Sequence, residues 1–280
     1  MTGLSNLALR ASTAAVLVPL VVWGVLALST TAFALGLTLF IVAGAWEWAD
    51  LADYAVAARA AYLLVAVMAL AISWLFLPNP VFALTVLGAA LIWWLAALFW
   101  VLRFQAQRPL PGSSHMLGRG LVGLLVLVPA WIAMVMLHGD PGRGPIWVML
   151  IMVIVWGADT GAYFAGRRFG KRKLASRVSP GKTVEGVLGG LVTAAAICAA
   201  FAWWRMDALN GAVYLVVLGT VTALASVLGD LTESLVKRSA GRKDSGILIP
   251  GHGGVLDRID SLTAAAPVFA AGLAVMDLLT

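Results

Sequence analysis

Long apolar runs without Asp, Glu, Lys or Arg dominate the chain. They cover residues 11–46, 60–102, 120–139, 144–158, 186–204, 208–229 and 261–276. Because a helix needs about 20 mainly apolar residues to cross a bilayer, each of the two longest runs has room for two helices. Ser29-Thr30-Thr31 is a predicted turn in the first, and Leu77-Pro78-Asn79-Pro80 breaks the second, since proline ends one helix and can begin the next. The pattern predicts an all-α, polytopic integral membrane protein with about nine transmembrane helices.

Basic residues collect in alternate loops of this arrangement. Seventeen of the 19 Lys and Arg residues lie on the side that holds Arg10, mostly within 167–182 and 237–258, whereas the other side holds only Arg143 and Arg205. Cytoplasmic loops carry an excess of Lys and Arg. We therefore expect the N-terminus and these loops in the cytoplasm and the C-terminus outside, in a bacterial inner (plasma) membrane. The first apolar segment lacks a convincing cleavage site, so we expect it to be retained as a helix.

The amino-acid composition limits the kinds of molecule that the chain is expected to bind. The chain is 62% hydrophobic and only 11% charged, against roughly 25% charged residues in soluble proteins. Its net charge of +6 is confined to a few short windows, which disfavours nucleic acid as a partner and leaves anionic lipids or phosphates. The single cysteine, Cys198, lies in an apolar run and excludes an intramolecular disulfide or a cysteine-rich metal site.

Polar residues are distributed unevenly between the two halves of the chain. Residues 1–138 carry few, and we interpret Glu47, Asp50 and Asp53 as interfacial caps or loop residues. Residues 139–280 carry charges inside or beside the apolar runs, where an ionisable group is costly and indicates function. We predict an N-terminal scaffold of transmembrane helices (1–138) and a C-terminal transmembrane catalytic region (139–280).

The first polar cluster begins at Asp159. Asp159, Tyr163 and Gly166 are spaced i, i+4, i+7, which places them on one helix face. The basic run 167–173 follows, and its charges could bind phosphates or simply anchor the protein to anionic headgroups.

The same cluster continues to a predicted helix start. Ser179-Pro180 has the residue types of an N-cap and a first helical position, so free N–H groups there could bind a phosphate together with Lys182. The sequence Gly181-Lys182-Thr183 is not a P-loop, because Ser176 occupies the position of the required first glycine and no strand is predicted before it.

The second polar cluster begins at the end of the predicted eighth helix. Asp230, Glu233, Ser234 and Lys237 are spaced i, i+3, i+4, i+7 and form one polar stripe. Carboxylates gathered in this way suit a hard cation such as Mg²⁺, which prefers oxygen ligands and commonly bridges to phosphates. The alternative is that Asp230 and Lys237 form an ion pair at the membrane edge.

A glycine-rich loop leads into the predicted ninth helix, where Asp257, Asp260 and Ser261 repeat the i, i+3, i+4 spacing. The glycines of Gly251-His252-Gly253-Gly254 would let the backbone approach a phosphate closely. Two alternatives stay open: the aspartates serve only as carboxylates favoured by the helix dipole, and His252 is only a polar loop residue.

The second cluster resembles the signature of phosphatidate cytidylyltransferases, also called CDP-diacylglycerol synthases. The matching residues are Ser234-x-x-Lys237-Arg238, then after four residues Lys243-Asp244-x-Gly246, then Pro250-x-His252-Gly253-Gly254-x-x-Asp257-Arg258-x-Asp260. More than ten fixed positions fall within these 27 residues. The upstream segments Asp159-Thr160-Gly161-Ala162-Tyr163 and Ser179-Pro180-x-Lys182-Thr183-x-Glu185-Gly186 also resemble that family.

The resemblance implies transfer of a cytidylyl group from CTP to phosphatidic acid, giving CDP-diacylglycerol and pyrophosphate for phospholipid biosynthesis. It implies metal assistance by Mg²⁺, with K⁺ as a second candidate ion, and a homodimer in contact with membrane lipids. The implied metal ligands are Asp230, Asp257 and Asp260, the last either directly or from a supporting position. The implied catalytic residues are Ser234, Lys237, His252 and Arg258. The implied substrate-binding residues are Asp159, Lys182, Thr183, Glu185, Arg238, Lys243, Gly253 and Gly254; Asp159, Lys182 and Glu185 could instead support the site.

Two other functions share some of these features. A kinase that phosphorylates a polyprenol or diacylglycerol with CTP would use the same kinds of substrate and metal but would transfer the γ-phosphoryl group. A cation-coupled transporter could also carry intramembrane aspartates at broken helices. Against the transporter, the polar residues cluster at one predicted membrane face and the sequence has no evident inverted repeat.

Overall fold

The computed structural model describes residues 3–106, 116–205, 208–249 and 253–279, and these ranges form nine helices and one short β-hairpin. The helices are α1 (Gly3–Ala27), α2 (Thr30–Leu51), α3 (Val56–Phe76), α4 (Pro80–Gln105), α5 (Met116–Gly139), α6 (Gly144–Phe169), α7 (Val184–Arg205), α8 (Leu209–Ser239) and α9 (Leu256–Leu279). The hairpin strands, β1 (Lys173–Ala175) and β2 (Ser179–Thr183), pair antiparallel between α6 and α7. The all-α prediction is confirmed.

Eight helices within the described ranges, α2 to α9, are long and apolar enough to cross a membrane. Helix α1 contributes the shorter apolar segment Ala15–Ala27. Both predicted turns are present: Ser29 caps α2 by accepting a hydrogen bond from the Ala32 N–H, and Asn79 caps α4 directly before Pro80. Because backbone groups in hydrocarbon must be satisfied within each helix, this architecture suits a bilayer. The chain is an integral membrane protein.

Helices α5 and α9 form the centre of the bundle. They are the most buried of the eight apolar helices, and α5 packs against α2, α3, α4, α6 and α9. Ile132 on α5 and Phe269 on α9 are fully buried. Helix α4, in contrast, leaves Ile92 and Leu95 exposed, as expected for a surface that faces lipid chains, which are as apolar as leucine.

Small residues let α6 and α7 approach each other closely. A Cβ atom at Gly161 would overlap Thr193, and one at Gly189 would overlap Ala165. Small residues at a crossing are a common means by which membrane helices reach close contact. This contact places the second half of α6 beside the start of α7.

Helix α8 is longer than a bilayer requires. Its 31 residues rise about 46 Å, whereas the hydrocarbon core is about 30 Å thick. The apolar run ends at Gly229, so the last turns of α8 carry the polar stripe. These turns contact the hairpin and the start of α9, and the start of α9 in turn contacts the end of α2. This region, formed by residues 47–51, 159–186 and 230–258 where described, is the polar end of the bundle.

Candidate active site

Helix α7 begins at a threonine cap. The prediction that Ser179-Pro180 starts this helix is wrong: residues 179–183 form β2, whose backbone pairs with β1, and α7 begins at Val184. The buried Thr183 is the cap, since its Oγ1 accepts a hydrogen bond of 3.1 Å from the Gly186 N–H. The hairpin thus places Lys182 directly before the cap of the helix.

A cleft of about 370 Å³ lies between α6, β2, α7 and α8. Asp159, Tyr163 and Gly166 line it from α6, which confirms that they share one helix face. Arg167, which donates a hydrogen bond of 3.0 Å to the Tyr163 hydroxyl, and Lys182 add positive charge to the lining. The apolar part of the lining includes Val187, Leu191, Ala223 and Val227. The cleft therefore offers both a polar and an apolar surface.

Lys182 joins the hairpin to α8. Its Nζ atom lies 2.6 Å from Asp230 Oδ2, and both side chains are about one quarter exposed, at 24% and 26%. Ser234 donates a hydrogen bond of 3.2 Å to Asp230 Oδ1 one turn further along α8. The structure thus brings together three of the residues that the resemblance implicates.

Lys237 joins α8 to α9 and is shared by two carboxylates. Its Nζ lies 2.6 Å from Asp257 Oδ1 and 3.3 Å from Glu233 Oε1, and all three side chains are at most 10% exposed. The alternative ion pair between Asp230 and Lys237 is therefore wrong, because each lysine pairs with a carboxylate on another element. Two carboxylates around one ammonium leave a net negative charge, which a further cation or proton would neutralise.

The second oxygen of Asp257 faces the loop between α8 and α9. Oδ2 accepts hydrogen bonds from the Ser245 N–H at 3.0 Å and the Gly254 N–H at 2.9 Å, and Ser245 Oγ lies 2.9 Å away. Gly253 has a φ of +83°, which glycine adopts without strain. The glycines thus shape a loop that binds Asp257, a more extensive role than a carboxylate favoured only by the helix dipole would have.

Asp260 and Glu233 line a small cavity where α8 crosses α9. Gly229 allows α8 to approach the Asp260 carbonyl, and Asp260 Oδ1 accepts a hydrogen bond of 2.6 Å from the Ser261 N–H. Within the described residues, neither buried Glu233 oxygen has a hydrogen-bond partner. The sequence pattern placed Glu233 among carboxylates that suit Mg²⁺, although the resemblance did not include it among the metal ligands. The structure makes it a fourth carboxylate of the site.

The carboxylates do not form a preassembled metal cage. In the ranges that the structure describes, no group of three acidic, histidine or cysteine side chains is placed to hold a metal ion. Asp230 and Asp257 each contact a lysine instead. Metal binding by Asp230, Asp257 and Asp260 stays a prediction.

Glu47, interpreted above as an interfacial or loop residue, is buried in the site. Only 2% of it is exposed, and its carboxylate accepts hydrogen bonds from the Val255 N–H at 3.0 Å and the Leu256 N–H at 2.8 Å. The loop interpretation is therefore wrong, and the cap that Glu47 provides belongs to the start of α9. The signal was present, because Glu47 directly ends an apolar run and an ionisable group there is costly.

Asp50, one turn after Glu47, contacts the loop between α8 and α9 at another point. Its carboxylate pairs with Arg242, just after α8, and with Arg59 on α3. Asp53 is exposed, as predicted for a loop residue, and has a φ of 61°. Two carboxylates from residues 1–138 thus organise a loop of residues 139–280.

Two residues implicated in substrate binding contact the protein backbone. Glu185 accepts hydrogen bonds from the N–H groups of Lys171 and Arg172, which favours its alternative, supporting role. Arg238 donates to the carbonyls of Val178 and Arg242, at 3.4 and 3.1 Å. Both side chains connect loops of the polar end.

Three other implicated residues are either exposed or fall outside the described residues. Lys243 and Arg258 are exposed at the polar end. His252 falls outside the described residues.

Three proteins of similar sequence share one name. A protein of Pseudomonas aeruginosa named phosphatidate cytidylyltransferase is 48% identical over 271 residues, which are 94% of this chain and 95% of that protein. Proteins of the same name from Haemophilus influenzae and Bacillus subtilis are 45% and 37% identical. Their matches cover 64% and 52% of this chain, and 65% and 56% of those proteins. The cytidylyltransferase family model matches residues 8–276, so the chain belongs to the cytidylyltransferase family.

Proposed function

We propose that the protein transfers the cytidylyl group of CTP to phosphatidic acid, producing CDP-diacylglycerol and pyrophosphate for phospholipid biosynthesis. The 48% identity to a protein of that name over nearly the full length supports this activity. The structural support is that Lys182 and Lys237 lie at the polar end, each beside a carboxylate, and that the cleft containing Lys182 has polar and apolar walls. A lipid phosphate needs such a boundary, because its acyl chains stay in hydrocarbon.

The proposed reaction brings two anions together. An oxygen of the lipid phosphate attacks the α-phosphorus of CTP, the bond from that phosphorus to the bridging oxygen breaks, and pyrophosphate leaves. No nucleophilic side chain is required, so the protein mainly aligns the substrates and neutralises charge. Lys182 lines the cleft and is suited to one phosphate group, while Lys237, beside the start of α9, is suited to another.

Arg258 and the loop residues extend this positive surface. Arg258 is the third residue of α9, where the positive end of the helix dipole disfavours a cation by about 0.3–1 kcal/mol. A bound phosphate would remove that repulsion. Lys243 and His252 are proposed to contact phosphates from the preceding loop, with Ser234 as a hydroxyl ligand beside Asp230.

Mg²⁺ is part of the proposal. This ion commonly binds through one or two carboxylates together with substrate phosphates, so a complete protein cage is not required. Glu233 supports a further cation or proton nearby, because its buried oxygens accept no hydrogen bond from the described residues and it shares Lys237 with Asp257. Asp230, Asp257 and Asp260 would hold the ion, which when bound would stabilise negative charge on the phosphates. K⁺ as a second ion stays a prediction.

The position of the label in the products tests the reaction. With purified protein, phosphatidic acid and Mg²⁺, CTP labelled at the α-phosphate should transfer its label to lipid, whereas γ-label should be released as pyrophosphate. Label from the γ-phosphate in the lipid would identify a kinase. Solute uptake into sealed vesicles without either product would indicate a transporter.

Lys182→Gln should lower kcat/KM by about 10- to 100-fold, because it removes a charged donor from the cleft. Lys171→Gln is the matched control, since it removes the same charge from an exposed side chain in the same basic region. It should change kcat/KM by less than about twofold. Equal losses in both variants would mean that Lys182 acts only through the overall positive charge.

Asp257→Asn should lower the activity of folded protein by at least about 100-fold, because it removes the charge proposed to hold the cation. Added Mg²⁺ should restore part of the activity if metal affinity is the main defect. The measurement is specific activity of monodisperse protein across a Mg²⁺ titration, with thermal stability in the same detergent. Asp53→Asn is the control, since this exposed residue with positive φ should tolerate asparagine. Near-normal turnover of Asp257→Asn would exclude an essential ligand.

The polar end is proposed to face the cytoplasm, where CTP is available, with the C-terminus outside. Cys198, the chain's single cysteine, is buried, so an introduced cysteine can report orientation. In intact cells, a membrane-impermeant maleimide should label Arg143→Cys but should label Ser176→Cys only after permeabilisation. The reverse pattern would exclude this orientation. A homodimer stays a prediction.

A further inference from the structure

Glu47 connects α2 to the start of α9 across some 200 residues of sequence. Its two oxygens accept the Val255 and Leu256 N–H groups, at 3.0 and 2.8 Å, respectively. The first N–H groups of a helix have no partner within that helix. A carboxylate from α2 therefore satisfies the start of α9, and the positive end of the helix dipole favours its charge.

The loop before α9 is shaped around this carboxylate. A Cβ atom at Gly246 or at Gly254 would overlap the Glu47 side chain. Glycine at both positions therefore lets two segments of the loop lie against one buried side chain. The loop that precedes Asp257 therefore lies directly against Glu47.

Ser245 links Glu47 directly to Asp257. Its Oγ lies 3.0 Å from Glu47 Oε2 and 2.9 Å from Asp257 Oδ2, and its N–H donates to the same Asp257 oxygen at 3.0 Å. One hydroxyl proton can be donated to only one of the two carboxylates at a time. Ser245 is thus held between them, with Asp257 Oδ2 towards the loop and Oδ1 towards Lys237.

We propose that Glu47 is a positioning residue, which sets the orientation of Asp257 through Ser245 and the start of α9. This inference rests on the proposed function only where it concerns the rate of cytidylyl transfer. Glu47 does not act on substrate in this proposal. Its effect passes through the orientation of Asp257, which distinguishes it from a residue that only stabilises the fold.

Glu47→Gln is the principal test. The amide keeps the size of the side chain. Its NH₂ group, however, would face one of the two backbone N–H groups that donate to a carboxylate oxygen in the wild-type protein. A misplaced Asp257 should lower kcat about 10- to 100-fold per folded molecule. Asp50→Asn is the matched control, because Asp50 lies one turn away and holds the same loop through Arg242 without contacting Ser245 or Asp257. It should leave kcat within about twofold.

A double-mutant cycle separates positioning from stability. If Glu47 acts through Asp257, Glu47→Gln should add little further loss of kcat to Asp257→Asn. Independent, multiplicative losses would overturn the proposal. Should Glu47→Gln fail to fold, Ser245→Ala tests the same link, and wild-type kcat in that variant would overturn it.

Hydrogen exchange provides a measurement that does not depend on activity. Glu47→Gln should increase exchange in peptides covering residues 253–258 relative to wild type and Asp50→Asn. Unchanged exchange would exclude the anchoring role. If wild-type protein fails to transfer the cytidylyl group, the proposed function is wrong, while the exchange result still decides whether Glu47 anchors α9.

Discussion

Carboxylates whose partners lie on other elements hold the polar end together. Charged groups near hydrocarbon are stable only when they are paired or hydrogen-bonded within the protein. Lys182 with Asp230 joins the hairpin to α8, and Lys237 with Asp257 joins α8 to α9. Each pair forms only when two elements are correctly placed. The polar pairs therefore define how helix ends meet, whereas the packing of apolar faces forms the bundle itself.

The same pairs suit a site for anionic substrates. The Coulombic gain of a buried ion pair is largely offset by desolvation, so these contacts are better explained by arrangement than by stability. A lysine held beside a carboxylate is already oriented before a phosphate arrives. In the proposed reaction the lysine could leave that carboxylate and pair with a phosphate, while a cation takes the place of the lysine beside the carboxylate. The charges would then stay balanced throughout.

Hydropathy and helical periodicity were sufficient to predict much of this molecule. The apolar runs predicted the helices, Leu77-Pro78-Asn79-Pro80 predicted the break before α4, and the i, i+4 spacing correctly placed Asp230 beside Ser234. Partners across helices have no comparable signal. Local spacing favoured Asp230 with Lys237, but Lys182, some 50 residues away, takes that carboxylate. The hairpin was also missed, because its five-residue second strand contains the Ser-Pro pair typical of a helix start.

The glycines before α9 show that a glycine-rich sequence does not reveal which anion its loop contacts. A glycine-rich loop lets backbone approach any anion, and the sequence pattern favoured a substrate phosphate. At Gly254 the anions are the protein's own: its N–H donates to Asp257, and its missing Cβ leaves room for Glu47. Contacts with these two carboxylates constrain the described part of the loop before substrate binds. The entropic cost of ordering it is then met during folding and not during each catalytic cycle, which is an advantage where alignment accounts for much of the rate.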